Sequence, residues 1–188
     1  MGTLRDAKNY GGVGAILILL GTFIPFVGIV VGIAGFILVL VAVKYISDAA
    51  GDRSIYDNML FFVIVAIIGF VVAFLFVFTA LLPFLGPGFT APTSFDIADP
   101  LAIFAIVAIL IGLAIAWILS IIAAVFLRKS FNSISAHLGV GLFRTTALLY
   151  FIGAILLIVG VGFILIFVAE ILMVVAFFSI PEQAPQPA

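Results

Sequence analysis

The sequence predicts an all-α protein with four long transmembrane helices, on three observations. Its residues are 67% hydrophobic and only 8% charged, whereas a soluble domain has roughly 25% charged residues. Its first apolar run, residues 13–43, covers 31 positions without a charge, and about 20 apolar residues suffice to cross a bilayer. Polar, glycine and proline residues separate four apolar runs. We therefore predict a single transmembrane domain with helices over about residues 13–43, 55–82, 101–127 and 145–180.

The first apolar run carries a regular series of glycines. Four of these glycines are spaced by seven residues, so they lie on nearly the same face of a helix. A fifth glycine forms a GxxxG pair with one of them, a spacing that favours close helix packing. The five glycines are Gly14, Gly21, Gly28, Gly35 and Gly32. A helix over residues 13–43 would be about 46 Å long, against about 30 Å of hydrocarbon. We predict a helix that is kinked near Pro25, and the alternative is a re-entrant break at that residue.

Helix-capping residues and the spacing of small residues predict the remaining helices. Ser54 with Asp57 predicts a capping box at the start of the second helix, and Asp99 before Pro100 predicts the start of the third. Small residues recur every four positions in the third helix, which favours close helix packing; they include Ala108, Gly112 and Ala116. Residues 128–144 predict a short interfacial helix before the fourth helix. The Pro/Gln-rich tail, 181–188, predicts disorder.

The basic residues predict the orientation. With four crossings, the loops 44–54 and 128–144 share one side and hold five of the seven Lys and Arg residues. The positive-inside rule then places these loops in the cytoplasm and both termini outside the cell membrane. A re-entrant first helix would instead bring the N-terminus, and all seven basic residues, to the cytoplasmic side.

Several segments together resemble a known family. They are Gly11-Gly12-Val13-Gly14, Pro25 with Gly28, Ile46-Ser47-Asp48, Phe131 and Phe143, and the ending Ala176-Phe177-Phe178-Ser179-Ile180. The chain is similar over nearly its whole length to an archaeal family of small four-helix membrane proteins, a domain of unknown function. The resemblance implies the four-helix membrane architecture and an archaeal source. It implies no activity, cofactor or catalytic residue.

Glu170 is the candidate functional residue, because it is the one acid inside its apolar run. An ionisable group inside a membrane is costly and marks an ion or proton site by default. Thr22 and Thr79 are its candidate partners, since a four-helix arrangement places them at a similar depth. The alternative is a protonated carboxyl that hydrogen-bonds a carbonyl or hydroxyl group and serves helix packing.

Other polar residues give weaker indications. Arg128, Lys129 and Arg144 predict contacts with anionic lipid head groups. The loop acids Asp48, Asp52 and Asp57 could approach a divalent ion, although a solvated loop with a helix cap explains them better. The chain has no cysteine and no basic cluster for nucleic acid. The sequence predicts no enzyme, no catalytic residue, no metal ligand and no cofactor.

Two octapeptides of the chain are similar to each other. Gly14-Ala-Ile-Leu-Ile-Leu-Leu-Gly21 compares with Gly153-Ala-Ile-Leu-Leu-Ile-Val-Gly160. An internal duplication of the kind found in transporters would explain the similarity, and chance in an apolar sequence explains it as well.

The leading functional prediction is a structural or accessory membrane protein. Its glycine and alanine faces pack helices and its apolar surface contacts lipid. We expect a homo-oligomer or a place in a larger membrane complex. The alternative is a small oligomeric channel, or a proton- or cation-coupled carrier, that uses Glu170.

Overall fold

The computed structural model describes residues 3–24, 27–82 and 99–182, and these residues form helices and no strand. The helices are α1 (Leu4–Gly21), α2 (Val27–Ala50), α3 (Arg53–Leu81), α4 (Pro100–Leu138), α5 (Gly141–Leu156) and α6 (Gly162–Phe178), with a 3₁₀ turn at Leu157–Val159. Four segments are long and apolar enough to cross a membrane, namely α2, α3, α4 and α5 with its 3₁₀ turn. The predicted fold class is therefore confirmed.

The chain divides into two compact units. The first consists of residues 1–63 and 121–188, and the second of residues 64–120. The first unit holds α1, α2, α5 and α6 together with the adjoining ends of α3 and α4. The second unit holds the remaining parts of α3 and α4. The single transmembrane domain that the sequence indicates stays a prediction.

α1 begins earlier than the sequence analysis predicts. The Thr3 side chain accepts the Asp6 N–H, and the Asp6 carboxylate accepts the Thr3 N–H at 2.8 Å. This reciprocal pair caps the helix, and its hydrogen bonds lower the pKa of Asp6. The charged residues before Val13 are therefore part of the helix, and α1 reaches 18 residues.

α1 and α2 form a hairpin. A Cβ atom at Gly14 would lie 2.7 Å from the carbonyl oxygen of Gly35, and one at Gly28 would overlap the carbonyl group of Gly21. The earlier glycine of α1 contacts the later glycine of α2, and the later glycine of α1 contacts the earlier one of α2. The two helices are therefore antiparallel. The structure therefore has two helices where the sequence predicts a single kinked helix over residues 13–43.

The correction has a physical reason. The segment from Val13 to Pro25 is too short to span a bilayer, which favours one continuous helix only if each half must span. A hairpin does not need to span, since its two arms support each other. Residues 25 and 26 lie outside the described chain, whereas Thr22 and Phe23 on one side form a hydrogen-bonded turn.

α5 and α6 form a second hairpin, in place of the single helix predicted over residues 145–180. Gly160 has a φ of 80°, a left-handed conformation that ends the 3₁₀ turn and favours glycine. A Cβ atom at Gly153 would lie 3.1 Å from the Gly162 carbonyl oxygen and 2.8 Å from the Ile166 side chain. The helical pattern continues in the sequence, but this turn reverses the chain.

α4 is longer than predicted. Asp99 accepts the Leu101 N–H at 2.9 Å and Pro100 begins the helix, so the predicted start is confirmed. The predicted interfacial helix over residues 128–144 is not a separate element, because its first eleven residues, 128–138, continue α4. No glycine or proline interrupts the chain there, and the break comes at Gly139, whose φ is 69°.

The start of α3 differs by two residues from the predicted capping box. Asp52, and not Ser54, caps the helix, since its carboxylate accepts the Ser54 N–H at 3.0 Å. Hydrogen bonding by Ser54 lowers the pKa of Asp52. Ser47 donates to the Asp52 carbonyl oxygen at 2.8 Å, which closes the loop between α2 and α3.

An aromatic cluster holds the helices of the first unit together at the end that carries the termini. Phe131 of α4, Phe143 of α5 and Phe177 of α6 are completely buried and meet edge to face, with ring centroids 5.1 to 6.3 Å apart. The Phe177 ring also covers the backbone of Gly11 in α1. The polar ends of four helices therefore meet at one place.

The same end of the first unit includes the loop between α2 and α3. The Tyr10 and Tyr45 rings lie 6.0 Å apart. The Ser130 hydroxyl of α4 donates to the Ile55 carbonyl oxygen of α3 at 2.7 Å. All seven Lys and Arg residues lie in the parts of the helices near this end of the first unit.

In the second unit, α3 packs against α4. A Cβ atom at Gly69 would lie 3.3 Å from the Leu119 side chain, and one at Gly112 would overlap Phe76. Most large side chains of this unit are exposed, including Phe70, Phe74 and Leu110. Such a surface suits a hydrocarbon environment.

Candidate functional site

Glu170 lies where the end of α1 meets α6 in the first unit. The Thr22 hydroxyl donates to the Glu170 carboxyl group at 3.3 Å, and it also reaches the Ile18 carbonyl oxygen at 3.3 Å. Next to this pair, the Phe23 and Phe167 rings meet edge to face at 5.6 Å. The turn of the first hairpin therefore brings a hydroxyl group to the acid.

The Glu170 side chain lines a small internal cavity. Its volume is about 30 Å³, and a water molecule needs roughly 10–15 Å³ measured in this way. The other polar side chains at its wall are Thr146 and Tyr150, both from α5. The Thr146 hydroxyl already donates to the Leu142 carbonyl oxygen at 2.8 Å. The cavity can hold a water molecule in contact with an acid and a phenol.

Tyr150 was not selected by sequence reasoning. Its ring meets the Phe62 ring at 5.8 Å and it shares the cavity wall with Glu170. One signal could have found it, because Thr146 and Tyr150 lie four residues apart and so share one face of a helix. The apolar residues around them hide this pair in a hydropathy profile.

Thr79, the second predicted partner of Glu170, belongs to the second unit. It lines a cavity of about 320 Å³ between α3 and α4, whose wall also includes Phe76, Phe104 and Ala108. The first unit alone supplies the groups described around Glu170.

The predicted packing residues have different surroundings. Four of the five glycines of the first run meet backbone atoms across the hairpin, whereas Gly32 has no neighbour within 4 Å of an added Cβ atom. In the second unit, Gly112 meets Phe76 and the carbonyl oxygen of Ala116 lies 3.8 Å from a Cβ atom at Gly69.

The loop acids have other partners. Asp48 pairs with Lys44 and Asp57 pairs with Arg53, each at 3.7 Å, and Asp52 caps α3. Among the described residues, no group of three or more His, Asp or Glu side chains could hold a metal ion.

The predicted lipid-contact residues divide into two sets. Arg128 and Arg144 line one cavity of about 310 Å³ between α4 and α5, together with Asn132 and Leu148. Lys129 lies elsewhere, with its Nζ atom 5.5 Å from the Phe126 ring centre. Helix geometry explains the division, because consecutive residues point in different directions.

Comparisons with known proteins identify the family of the chain. The sequence matches the family described as "protein of unknown function (DUF996)" over residues 31–171. It is 39% identical over 185 residues to uncharacterised protein MJ1644 of Methanocaldococcus jannaschii, an alignment that covers 96% of this chain and 94% of the relative. No solved structure matches the chain. The predicted resemblance to an uncharacterised archaeal family is confirmed, and the chain belongs to the DUF996 family of proteins of unknown function.

Proposed function

We propose that this chain is a non-enzymatic integral membrane protein that acts as a structural or accessory component of the cell membrane. The observation that supports a structural role for Glu170, instead of a solute site there, is the size of the cavity beside it, about 30 Å³. Sites for small organic ligands occupy about 300–1,000 Å³. The polar groups at this place suit one water molecule and internal hydrogen bonding better than the passage of a solute.

The glycine faces support a packing role within the chain. Backbone contacts between Gly14 and Gly35 and between Gly21 and Gly28 hold the two arms of the first hairpin. Inside a bilayer, close contact at small residues is a main source of helix association. The exposed apolar side chains of Ile29 and Ile33 on α2 remain for lipid or for another protein.

We also propose a homo-oligomer or membership of a larger membrane complex. The exposed apolar surfaces of both units support this assembly, although lipid would cover them equally well. The mass of the protein in mild detergent tests the proposal: a particle larger than the 19.9 kDa monomer after subtraction of detergent supports it. A monomer in every mild detergent would contradict the homo-oligomer.

For the orientation, we propose that α3 and α4 cross the membrane and that the two hairpins enter and leave it on the cytoplasmic side. The seven basic residues support this topology, because the hairpins bring all of them to one end of the first unit. Both termini are then cytoplasmic, in place of the predicted outside location.

Cysteine labelling tests this topology without background, because the chain has no cysteine. We expect Thr3→Cys, Asp48→Cys and Glu182→Cys to react with an impermeant maleimide only when the reagent has access to the cytoplasmic side of the membrane. Ser94→Cys, in the segment between α3 and α4, should react from the other side. Labelling of Thr3→Cys and Asp48→Cys from opposite sides would contradict the hairpin topology.

A second candidate function is a proton or cation site at Glu170. The contact of its carboxyl group with Thr22 and the shared cavity with Tyr150 favour it. Irregular backbone within a membrane often lines an ion path, and the turns of both hairpins provide such backbone.

A flux measurement in proteoliposomes separates the two candidates. For a structural protein, we expect proton and cation flux equal to that of empty vesicles, for the wild type and for Glu170→Gln. The amide group that this substitution introduces retains an acceptor for Thr22, so the variant should assemble normally. Wild-type flux that disappears in Glu170→Gln but persists in Glu182→Gln, the same change at an exposed acid, would replace the structural proposal with the second candidate.

A further inference from the structure

We infer that the cavity between the end of α4 and the start of α5 binds a phosphate group that carries a neighbouring hydrogen-bond donor, as in the head group of an anionic glycerol lipid. Arg128, Asn132 and Ser135 line the cavity from α4, and Arg144 and Leu148 line it from α5. This cavity shares no lining residue with the cavity beside Glu170.

The positive charge of the cavity is not neutralised within the described chain. Neither Arg128 nor Arg144 forms an ion pair with a described carboxylate, whereas Lys44 and Arg53 both do. Both arginine side chains are exposed, so an anion that enters the cavity from outside can reach their guanidinium groups. Their planar forks match the oxygen atoms of a phosphate group.

The neighbouring helix terminus adds to the same charge. Arg144 lies in the first turn of α5, whose N-cap residue, Val140, forms no side-chain hydrogen bond. The N-terminal end of a helix carries a partial positive charge that favours anions. The Arg128 guanidinium is fixed in addition by the Phe151 ring, whose centre lies 5.4 Å from its Cζ atom.

Asn132 provides the second, independent observation. Its buried Oδ1 atom has no hydrogen-bond partner among the residues that the structure describes. A buried acceptor without a donor is costly, and most such groups in proteins have a partner. A deprotonated phosphate offers this atom only acceptors, so we infer a ligand with a hydroxyl or ammonium group beside the phosphate.

The surroundings favour a lipid over a soluble phosphate ester. Leu148 at the wall is 42% exposed and continues into the apolar part of α5. The cavity volume of about 310 Å³ suits a head group, and an acyl chain can follow the exposed apolar side of the helix. The cavity also lies at the end of the first unit that collects the basic residues.

Native mass spectrometry of the full chain in detergent tests the inference, with phosphatidylglycerol as the probe. We expect Arg144→Gln and Arg128→Gln to weaken binding by about tenfold or more, since each removes a charged hydrogen bond. Lys129→Gln is the matched control, because it removes the same charge one residue from Arg128 but outside the cavity. We expect less than about a twofold change for this control.

The donor requirement has its own comparison. Phosphatidylmethanol has the phosphate but no hydroxyl group, so the wild type should prefer phosphatidylglycerol, and Asn132→Leu should lose this preference. Competition by glycerol 1-phosphate at the lipid's own concentration would identify a soluble ester as the ligand of the same site. Equal weakening by Arg144→Gln and Lys129→Gln, no lipid preference in the wild type, or no binding of either probe would overturn the inference.

Discussion

Gly28→Ala is expected to destabilise the hairpin of α1 and α2 by about 1–3 kcal/mol, the usual cost of overpacking a tight contact. The added methyl group would collide with the carbonyl group of Gly21. The obstacle is backbone, which cannot move aside as the end of a flexible side chain can. Relief of the collision requires α1 and α2 to move apart where Gly21 and Gly28 meet.

Gly32→Ala is the matched control for this substitution. It lies one helical turn further along α2, in the same GxxxG pair, and an added Cβ atom meets nothing within 4 Å. Alanine favours helices over glycine by up to about 1 kcal/mol, so we expect this variant to be as stable as the wild type or slightly more stable. Thermal unfolding of both variants in one detergent measures the difference, and equal destabilisation would refute the close contact of α1 with α2.

Phe177→Ala is expected to have the largest effect on stability, a loss of about 3–5 kcal/mol. The ring is completely buried between Phe131 and Phe143 and covers the backbone of Gly11. Removal of the ring leaves a cavity and also ends two edge-to-face contacts. The loss affects the junction of four helices, so unfolding should remain cooperative but occur at a lower temperature or denaturant concentration.

Phe163→Ala provides the comparison on the same helix. Phe163 is 69% exposed, and in a membrane lipid would surround its ring. We expect its replacement to change the free energy of unfolding by less than about 0.5 kcal/mol, as is usual for exposed positions. If both variants lose the same stability in urea or heat unfolding, the aromatic cluster does not hold the helices together.

The local features of the fold could be predicted from the sequence. Long apolar runs identify membrane-type helices because hydropathy needs no knowledge of neighbours. The cap at Asp99 likewise depends on residues next to each other in the chain. The start of α1 differs from the predicted start at residue 13, because the cap formed by Thr3 and Asp6 begins the helix earlier.

The two hairpins could not be predicted from helix length alone. A run of 31 uncharged residues can form one tilted helix or a hairpin of two helices. Only contacts between residues distant in sequence determine which of these two structures forms. One signal was present nevertheless. Glycines spaced evenly on both sides of a central proline can pair in mirror order, Gly21 with Gly28 and Gly14 with Gly35. The two similar octapeptides also occupy similar places, since each ends at the turn of its hairpin.

The candidate site was predictable only in part. An acid in an apolar run identified Glu170, and an estimate of depth suggested Thr22, which the structure places at hydrogen-bond distance. The same estimate suggested Thr79, which belongs to the other unit. The predicted depth of a residue gives its level in the bilayer, but it does not show which neighbouring helix the side chain faces. Asn132 gave no signal, because only the structure reveals that its buried oxygen lacks a partner among the described residues.

The glycine contacts of the first hairpin have a consequence for heat resistance. Side chains that pack at an interface lose rotamer freedom, and this entropic cost grows with temperature. Gly14, Gly21, Gly28 and Gly35 have no side chain to immobilise, and inside a bilayer the helices that carry them persist even when separated. The association of α1 with α2 therefore depends mainly on contact enthalpy. It should weaken more slowly on heating than an interface of leucine or methionine side chains with the same contact area.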